Sequence, residues 1–180
     1  MKNIFIGGVA KSGKSRLATY LSKELGMNHI PIDYFASSFK HNFPDVGIVS
    51  NVIIDKDSSK KLALFLSRFV DIAQDNNEEY FILDSAHILP EDIIPFLDRD
   101  KWDVYYLGYD NISALDKIEE VNKYTRGGWI VKRSREELIE NFNNLINLSK
   151  DIRNACELND ITYLDVSSSD PIEVYKKYKD

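Results

Sequence analysis

The sequence contains little cysteine and no long apolar run, and both shortages exclude classes of protein. Its 180 residues include one cysteine, Cys156, so an intramolecular disulfide framework and a cysteine zinc site are both excluded. No apolar stretch approaches the roughly 20 residues that a transmembrane helix needs. The apolar run that follows Met1 is also too short for a signal peptide. We therefore expect a cytoplasmic protein with no membrane partner.

The chain also lacks an excess of positive charge. Its formal net charge is −6, whereas binding to nucleic acid generally requires a basic surface. Hydrophobic residues make up 43% and charged residues 29% of the chain, which is typical of globular proteins. A chain of this length suits a single hydrophobic core. We predict one domain over residues 1–180, with no nucleic-acid partner.

Apolar runs alternate with amphipathic stretches along the chain. Strands are predicted at residues 3–7, 28–32, 80–83, 104–107 and 161–166. Helices are predicted at Lys14–Leu25, from Ser58 or Ser59 to about residue 75, after Asp110, from Ser134 and from Pro171. Residues 34–57 have mixed signals, because Pro44 and Gly47 interrupt any regular pattern. The order predicts an α/β fold with a five-stranded parallel sheet and helices on both faces.

A phosphate-binding loop lies between the first predicted strand and the first predicted helix. Residues Gly8 to Ser15 read GVAKSGKS and match the pattern G-x-x-x-x-G-K-[ST]. Glycines allow backbone amides to surround phosphate oxygens, and the helix N-terminus favours negative charge. Lys14 would contact the terminal phosphates and Ser15 would ligate Mg²⁺. The residues predicted to bind ATP are Gly8, Lys11, Ser12, Gly13, Lys14 and Ser15.

Two aspartates stand at the ends of predicted strands. Asp84 follows Phe81-Ile82-Leu83, where a carboxylate can hold the Mg²⁺ shell or the substrate; it could also only cap the next turn. Asp33 follows the second strand, and ligands of open α/β sheets bind at the carboxyl ends of the strands. We predict Asp33 as a catalytic base, with a helix cap as the alternative.

Basic residues gather around Gly127 and Gly128 in a stretch without apolar periodicity. The cluster comprises Arg126, Lys132, Arg133 and Arg135. Guanidinium groups bind phosphoryl oxygens in a bidentate manner, and the glycines provide a hinge. We predict a short lid at residues 124–133, with Arg126 and Arg133 as catalytic residues and Trp129 as a packing anchor. The alternative is a solvated basic loop.

With these motifs, nearly the whole chain resembles the P-loop small-molecule kinases. Residues 30–35, IPIDYF, are similar to the second-strand motif of uridine and nicotinamide riboside kinases, and this resemblance implies that Asp33 faces the acceptor hydroxyl. Residues 81–90 are similar to a stretch of 2-phosphoglycerate kinase-like proteins, which have glutamate and glycine where this chain has Asp84 and Ser85. The resemblance also implies ATP and Mg²⁺ as cofactors, a P-loop NTPase fold and an adenine-contacting loop at residues 167–169.

The expected function is transfer of the γ-phosphate of ATP to a hydroxyl or phosphate of a small metabolite, such as a nucleoside or nucleotide. Residues 34–75 would form the acceptor side. A GTPase is excluded, because Thr125 replaces the aspartate of the Asn-Lys-x-Asp motif at residues 122–125. Two alternatives stay open. One is an NTP hydrolase or regulatory module without a small acceptor, and the other is a zeta-type kinase that acts on a nucleotide sugar.

Overall fold

The computed structural model describes residues 1–76, 80–124 and 127–179, and it contains a five-stranded parallel sheet flanked by helices. The strands are β1 (Asn3–Gly8), β2 (Asn28–Pro31), β3 (Phe81–Asp84), β4 (Trp102–Gly108) and β5 (Thr162–Asp165). The helices are α1 (Lys14–Leu25), α2 (Asp33–Asn42), α3 (Lys56–Asn76), α4 (Pro90–Ile93), α5 (Ala114–Tyr124), α6 (Arg135–Leu158) and α7 (Pro171–Lys179). The predicted α/β class is confirmed.

The order of the strands determines which strand ends meet. The sheet runs β2-β3-β1-β4-β5, so β3 separates β1 from β2. In the register of β1 and β3, Ile6 lies opposite Asp84, and in that of β2 and β3, Pro31 also lies opposite Asp84. The carboxyl ends of β1, β2 and β3 therefore form one edge. The connections that leave the neighbouring strands β1 and β3 run in opposite directions, to β2 and to β4, so this edge contains a switch point of the sheet. Ligands bind at such switch points in open α/β sheets.

The hydrophobic core surrounds the central strand. All six residues of β1 are buried, as expected for a parallel strand that is covered on both faces. Phe5 and Ile6 are fully buried, and Tyr106 and Leu107 of the neighbouring β4 are equally inaccessible. Among the residues that the structure describes, no helix has the length and apolar character needed to span a membrane.

One helix lies where the sequence predicted irregular structure. Residues Asp33–Asn42 form α2, although Pro44 and Gly47 follow closely. The rings of Phe35 and Phe39 pack against Phe65 of α3, with centroid distances of 5.5 and 5.3 Å. Because aromatic contacts of this kind contribute beyond the area that they bury, the helix is stabilised by a distant segment rather than by its own pattern.

Two predicted helix starts are wrong, and side-chain hydrogen bonds explain both. Helix α3 begins at Lys56, where the Asp55 carboxylate accepts a hydrogen bond from the amide of Ser58. Helix α5 begins at Ala114, with Ser113 accepting from the amide of Asp116. The predicted capping box of α6 is confirmed, because Ser134 and Glu137 exchange both hydrogen bonds.

Gly8 is required where β1 passes into the phosphate loop. Its φ is +131°, and a Cβ atom there would overlap the carbonyl oxygen of Leu107 in β4. Gly26, which ends α1, also has a positive φ of +66°, but nothing lies within 4 Å of its Cβ position.

We predict that Gly8→Ala lowers the free energy of unfolding more than Gly26→Ala does. The Gly26 variant incurs only backbone strain, roughly 1–2 kcal/mol, whereas the Gly8 variant must also displace the backbone of β4. Urea titrations of both variants measure the difference. Equal losses would contradict the overlap with Leu107.

Candidate active site

The phosphate loop connects β1 to α1 and has unusual backbone geometry. Gly13 precedes the first residue of α1 with φ +84°, and Lys11 adopts a left-handed φ of 62°. A non-glycine residue in this region is strained, and such strain often occurs at ligand-binding loops. The first N–H groups of a helix have no partner within the helix. The N-terminus of α1 therefore offers hydrogen-bond donors to an anion held by the loop.

Lys14 is a buried cation at the base of this loop. The residue is 5% exposed, and its Nζ donates a hydrogen bond of 2.7 Å to the carbonyl oxygen of Val9. Burial lowers the pKa of the Lys14 ammonium, while the carboxylates of Asp33 and Asp84 raise it. The carboxylates of Asp33 and Asp84 thus stabilise the charge that would meet the phosphates.

A second observation, the surroundings of Ser12, also indicates that the loop fits a polyphosphate. Ser12 is 2% exposed, and its Oγ has no hydrogen-bond partner among the residues that the structure describes. A buried hydroxyl usually has a partner, and a phosphate oxygen bound in the loop would provide one.

Asp84 joins the loop to the end of β3. Ser15 Oγ donates a hydrogen bond of 2.6 Å to Asp84 Oδ2, and Asp84 is 1% exposed. The hydrogen bonds described for its side chain are made with Ser15 and His29 and not with an amide of the following turn. A hydroxyl and a carboxylate in contact are the oxygen ligands that Mg²⁺ prefers, so these residues fit the metal that the sequence predicted. His29 of β2 contacts the other carboxylate oxygen of Asp84.

Asp33 is the first residue of α2 and not the end of β2. Its Oδ1 accepts hydrogen bonds from the amide of Ala86 at 2.9 Å and from Ser85 Oγ at 3.5 Å. His87 Nε2 lies 3.9 Å from the same oxygen. Within the described part of the chain no side chain caps α2, whose N-cap is Ile32, so the helix-cap alternative for Asp33 is not what the structure shows. Burial lowers the pKa of His87, against the opposing effect of Asp33, so its neutral form is favoured near neutral pH.

One cavity brings half of the predicted site residues together, namely Lys11, Gly13, Lys14, Ser15 and Asp33. It has a volume of about 350 Å³. It is lined by Ala10, Lys11, Gly13, Lys14, Ser15, Arg16, Asp33, Ala86 and Trp129. Lys14 and Ser15 of the loop and Asp33 therefore border the same space.

A second cavity, of about 430 Å³, extends from the other side of the loop. Residues 167–169, Tyr124, Lys117 and Pro171 contribute to its walls. Lys117 is 1% exposed, and its Nζ donates to both carboxylate oxygens of Glu120, at 2.9 and 3.1 Å. This cavity has room for the nucleoside end of a nucleotide whose phosphates occupy the loop.

The Lys117 ammonium also lies 4.4 Å from the centre of the Tyr109 ring, within the range of a cation–π contact. Tyr109 in turn donates a hydrogen bond of 2.7 Å to the carbonyl oxygen of Ala10. A chain of contacts therefore links the wall of the second cavity to the phosphate loop.

Two residues of the predicted lid, Trp129 and Arg133, lie in different surroundings. Trp129 packs on Phe142 of α6, with ring centroids 5.7 Å apart, and also lines the first cavity. Arg133 forms an ion pair of 3.2 Å with Glu137 and is not among the residues that line either cavity. Arg126 lies outside the described residues.

Arg16 is a cavity residue that the sequence analysis did not select. It follows Ser15 on α1, lines both cavities and pairs with Asp170 at 2.7 Å. Its position directly after the phosphate loop in the sequence could have identified it as a site residue.

Comparisons with solved structures define the class of fold. The chain is similar to a gluconokinase from Sinorhizobium meliloti 1021, with TM-score 0.60 and 13% identity over 98% of this chain and 88% of that chain. It is similar to a sugar kinase from Janibacter sp. HTCC2649, with TM-score 0.60 and 16% identity over 99% and 92%. A shikimate kinase from Acinetobacter baumannii gives TM-score 0.58 and 12% identity over 99% and 91%.

Neither a protein-family model nor a curated relative matches the sequence. The chain has the fold of the P-loop small-molecule kinases, as the resemblance predicted.

We predict that Lys14→Ala weakens ATP binding about tenfold or more, because it removes a charge-assisted contact of roughly 1.5–3 kcal/mol. Isothermal titration calorimetry with ATP measures the change. Lys23→Ala is the matched control, since Lys23 lies in the last turn of the same helix and is exposed. ATP affinity that is equal in the two variants would contradict the assignment of the phosphate loop.

Proposed function

We propose that the protein is an ATP- and Mg²⁺-dependent kinase that transfers the γ-phosphate to a hydroxyl group of a small metabolite. The observation that carries the proposal is the cavity in which Lys14 and Ser15 face the same space as Asp33. A phosphate acceptor would need no proton acceptor, whereas a hydroxyl does. The similar structures are a gluconokinase, a sugar kinase and a shikimate kinase, which agrees with a hydroxylated acceptor.

In the proposed complex, the nucleoside occupies the cavity beside residues 167–169 and the phosphates occupy the loop. The amides at the start of α1 and the Lys14 ammonium bind the phosphate oxygens. Ser15 and Asp84 would hold Mg²⁺, which neutralises charge on the β- and γ-phosphates when bound. Because phosphoryl transfer requires little covalent chemistry from the protein, this positioning accounts for most of the catalysis.

Asp33 is proposed as the base for the acceptor. Its contacts with Ser85, Ala86 and His87 all involve Oδ1, and the carboxylate is 41% exposed. Oδ2 can therefore accept the proton of the acceptor hydroxyl. The hydroxyl oxygen forms a bond to the γ-phosphorus, the bond from that phosphorus to the β–γ bridging oxygen breaks, and ADP leaves.

Residues 34–75 are proposed as the acceptor side and residues 124–133 as the lid. Helix α2 begins at Asp33 and packs on α3 through aromatic contacts. Trp129 already lies at the cavity. Arg126 and Arg133 stay predicted lid residues, and for Arg133 the proposal requires that its ion pair with Glu137 opens when substrates bind.

We predict that ADP formation requires a hydroxylated metabolite. The purified protein would be incubated with ATP, Mg²⁺ and pools of sugars, sugar acids, polyols and nucleosides. Mass spectrometry would detect a product that is heavier by one phosphoryl group, in an amount equal to the ADP formed. The Lys14→Ala variant is the negative control. ADP formation that is equally fast without any acceptor would instead identify a hydrolase.

We predict different defects in the two aspartate variants. Asp33→Asn cannot accept a proton, so transfer should fall by roughly 10²- to 10⁴-fold while MgATP binding stays close to wild type. Asp84→Asn should instead raise the Mg²⁺ concentration needed for half-maximal turnover. Magnesium titrations of both variants, with nucleotide binding measured separately, test the assignment. A shifted magnesium requirement in the Asp33 variant alone would reverse the two roles.

A further inference from the structure

A histidine of β2 contacts the carboxylate that we assign to the metal. His29 Nε2 lies 2.7 Å from Asp84 Oδ1, and the two side chains are 15% and 2% exposed. The other oxygen, Asp84 Oδ2, accepts the hydrogen bond from Ser15. Each carboxylate oxygen therefore has its own partner, and those partners come from two different elements, β2 and α1.

The strand register explains how His29 reaches this position. In the parallel pairing of β2 and β3, His29 lies opposite Ile82 and Pro31 lies opposite Asp84. Because alternate residues of a strand point to the same face, the side chains of His29 and Asp84 share a face as diagonal neighbours. Ser15 approaches the same carboxylate from α1, so this face of the sheet is the one that carries the predicted metal ligands.

We propose that His29 is a positioning residue that fixes the orientation of the Asp84 carboxylate toward Ser15. The χ2 torsion of aspartate has a broad minimum, so a carboxylate held by one oxygen can still turn. With Oδ1 bound to His29, Oδ2 is directed at Ser15. Outer partners that orient metal-binding groups typically change metal affinity by about 10- to 100-fold when removed. The inference rests on the proposed function, because it assumes that Asp84 and Ser15 serve a metal bound with the nucleotide.

A purely structural contact would give a different result. Loss of a buried hydrogen bond lowers the stability of the fold, but it does not by itself discriminate between nucleotide with and without metal. The decisive quantity is therefore the affinity for the metal in the nucleotide complex, compared with the affinity for the nucleotide in the presence of a chelator.

The experiment uses Mn²⁺ as the probe and the non-hydrolysable analogue adenylyl imidodiphosphate as the nucleotide. Electron paramagnetic resonance measures free Mn²⁺ during titration of the protein–analogue complex, and calorimetry in EDTA measures binding of the analogue alone. The variants are His29→Leu, His29→Gln and His29→Asn. Lys23→Leu is the control, because Lys23 is exposed and lies in the last turn of α1, away from the phosphate loop.

We expect His29→Leu to raise the dissociation constant for Mn²⁺ about tenfold or more, with the affinity for the metal-free analogue unchanged. The glutamine amide places a donor near the position of imidazole Nε2, so His29→Gln should restore metal binding. The shorter asparagine should behave like leucine. If His29→Leu does not fold, as judged by its circular dichroism spectrum, the inference is tested by comparing the Mn²⁺ affinities of His29→Gln and His29→Asn.

Two results would overturn the inference. In the first, wild type binds Mn²⁺ with the analogue and all His29 variants bind it equally well, which rejects the positioning role and leaves the proposed kinase intact. In the second, the variants lose affinity for the analogue equally with and without metal, which assigns His29 to the fold of the loop. Failure of the wild-type protein to bind Mn²⁺ with the analogue would reject the proposed function itself.

Discussion

The buried ammonium group of Lys14 requires hydrogen bonds and opposite charges from other parts of the structure. A charge removed from water is unfavourable by several kcal/mol unless it is paired and hydrogen-bonded. Lys14 is hydrogen-bonded to Val9 and lies in the field of Asp33 and Asp84. Asp84 ends β3 and Asp33 follows β2, and these two strands lie on one side of β1 in the sheet. The sheet order is therefore what makes a buried lysine tolerable at this position.

The same order explains why the two aspartates are not equivalent. Asp84 ends the strand that pairs directly with β1, so it reaches Ser15 at the start of α1. Asp33 follows the strand beyond it and is held by the turn after β3, through the amide of Ala86. One carboxylate is thus enclosed beside the loop, and the other is accessible at the cavity. This division agrees with a metal role for the first and a proton-accepting role for the second.

Features that a contiguous motif defines could be predicted from the sequence, whereas contacts between distant segments could not. Helix α1 has the predicted bounds, Lys14–Leu25, because Gly13 and Gly26 lie directly before and after it and mark its ends in the sequence. Helix α2 was missed, because Phe35 and Phe39 are stabilised by Phe65, a distant residue.

The same distinction between contiguous motifs and distant contacts applies to the candidate site. The phosphate loop is contiguous in sequence, so its residues could be named. The contact of His29 with Asp84 depends on which strand lies beside β3, and a pattern of apolar runs does not contain strand order. The pairing of Arg16 with Asp170 joins residues far apart in the chain, and it was not foreseen for the same reason.

The hydrogen bond from Ala86 to Asp33 has a consequence for engineering new substrate preference. Ala86 is two residues beyond Asp84, so one short turn sets the spacing between the two carboxylates. Segments inserted or exchanged after Asp33 leave that turn, and with it the spacing, unchanged. A change of length between Asp84 and Ala86 would alter the spacing directly. Libraries that redesign the proposed acceptor side should therefore vary residues 34–57 and keep residues 84–87 at constant length.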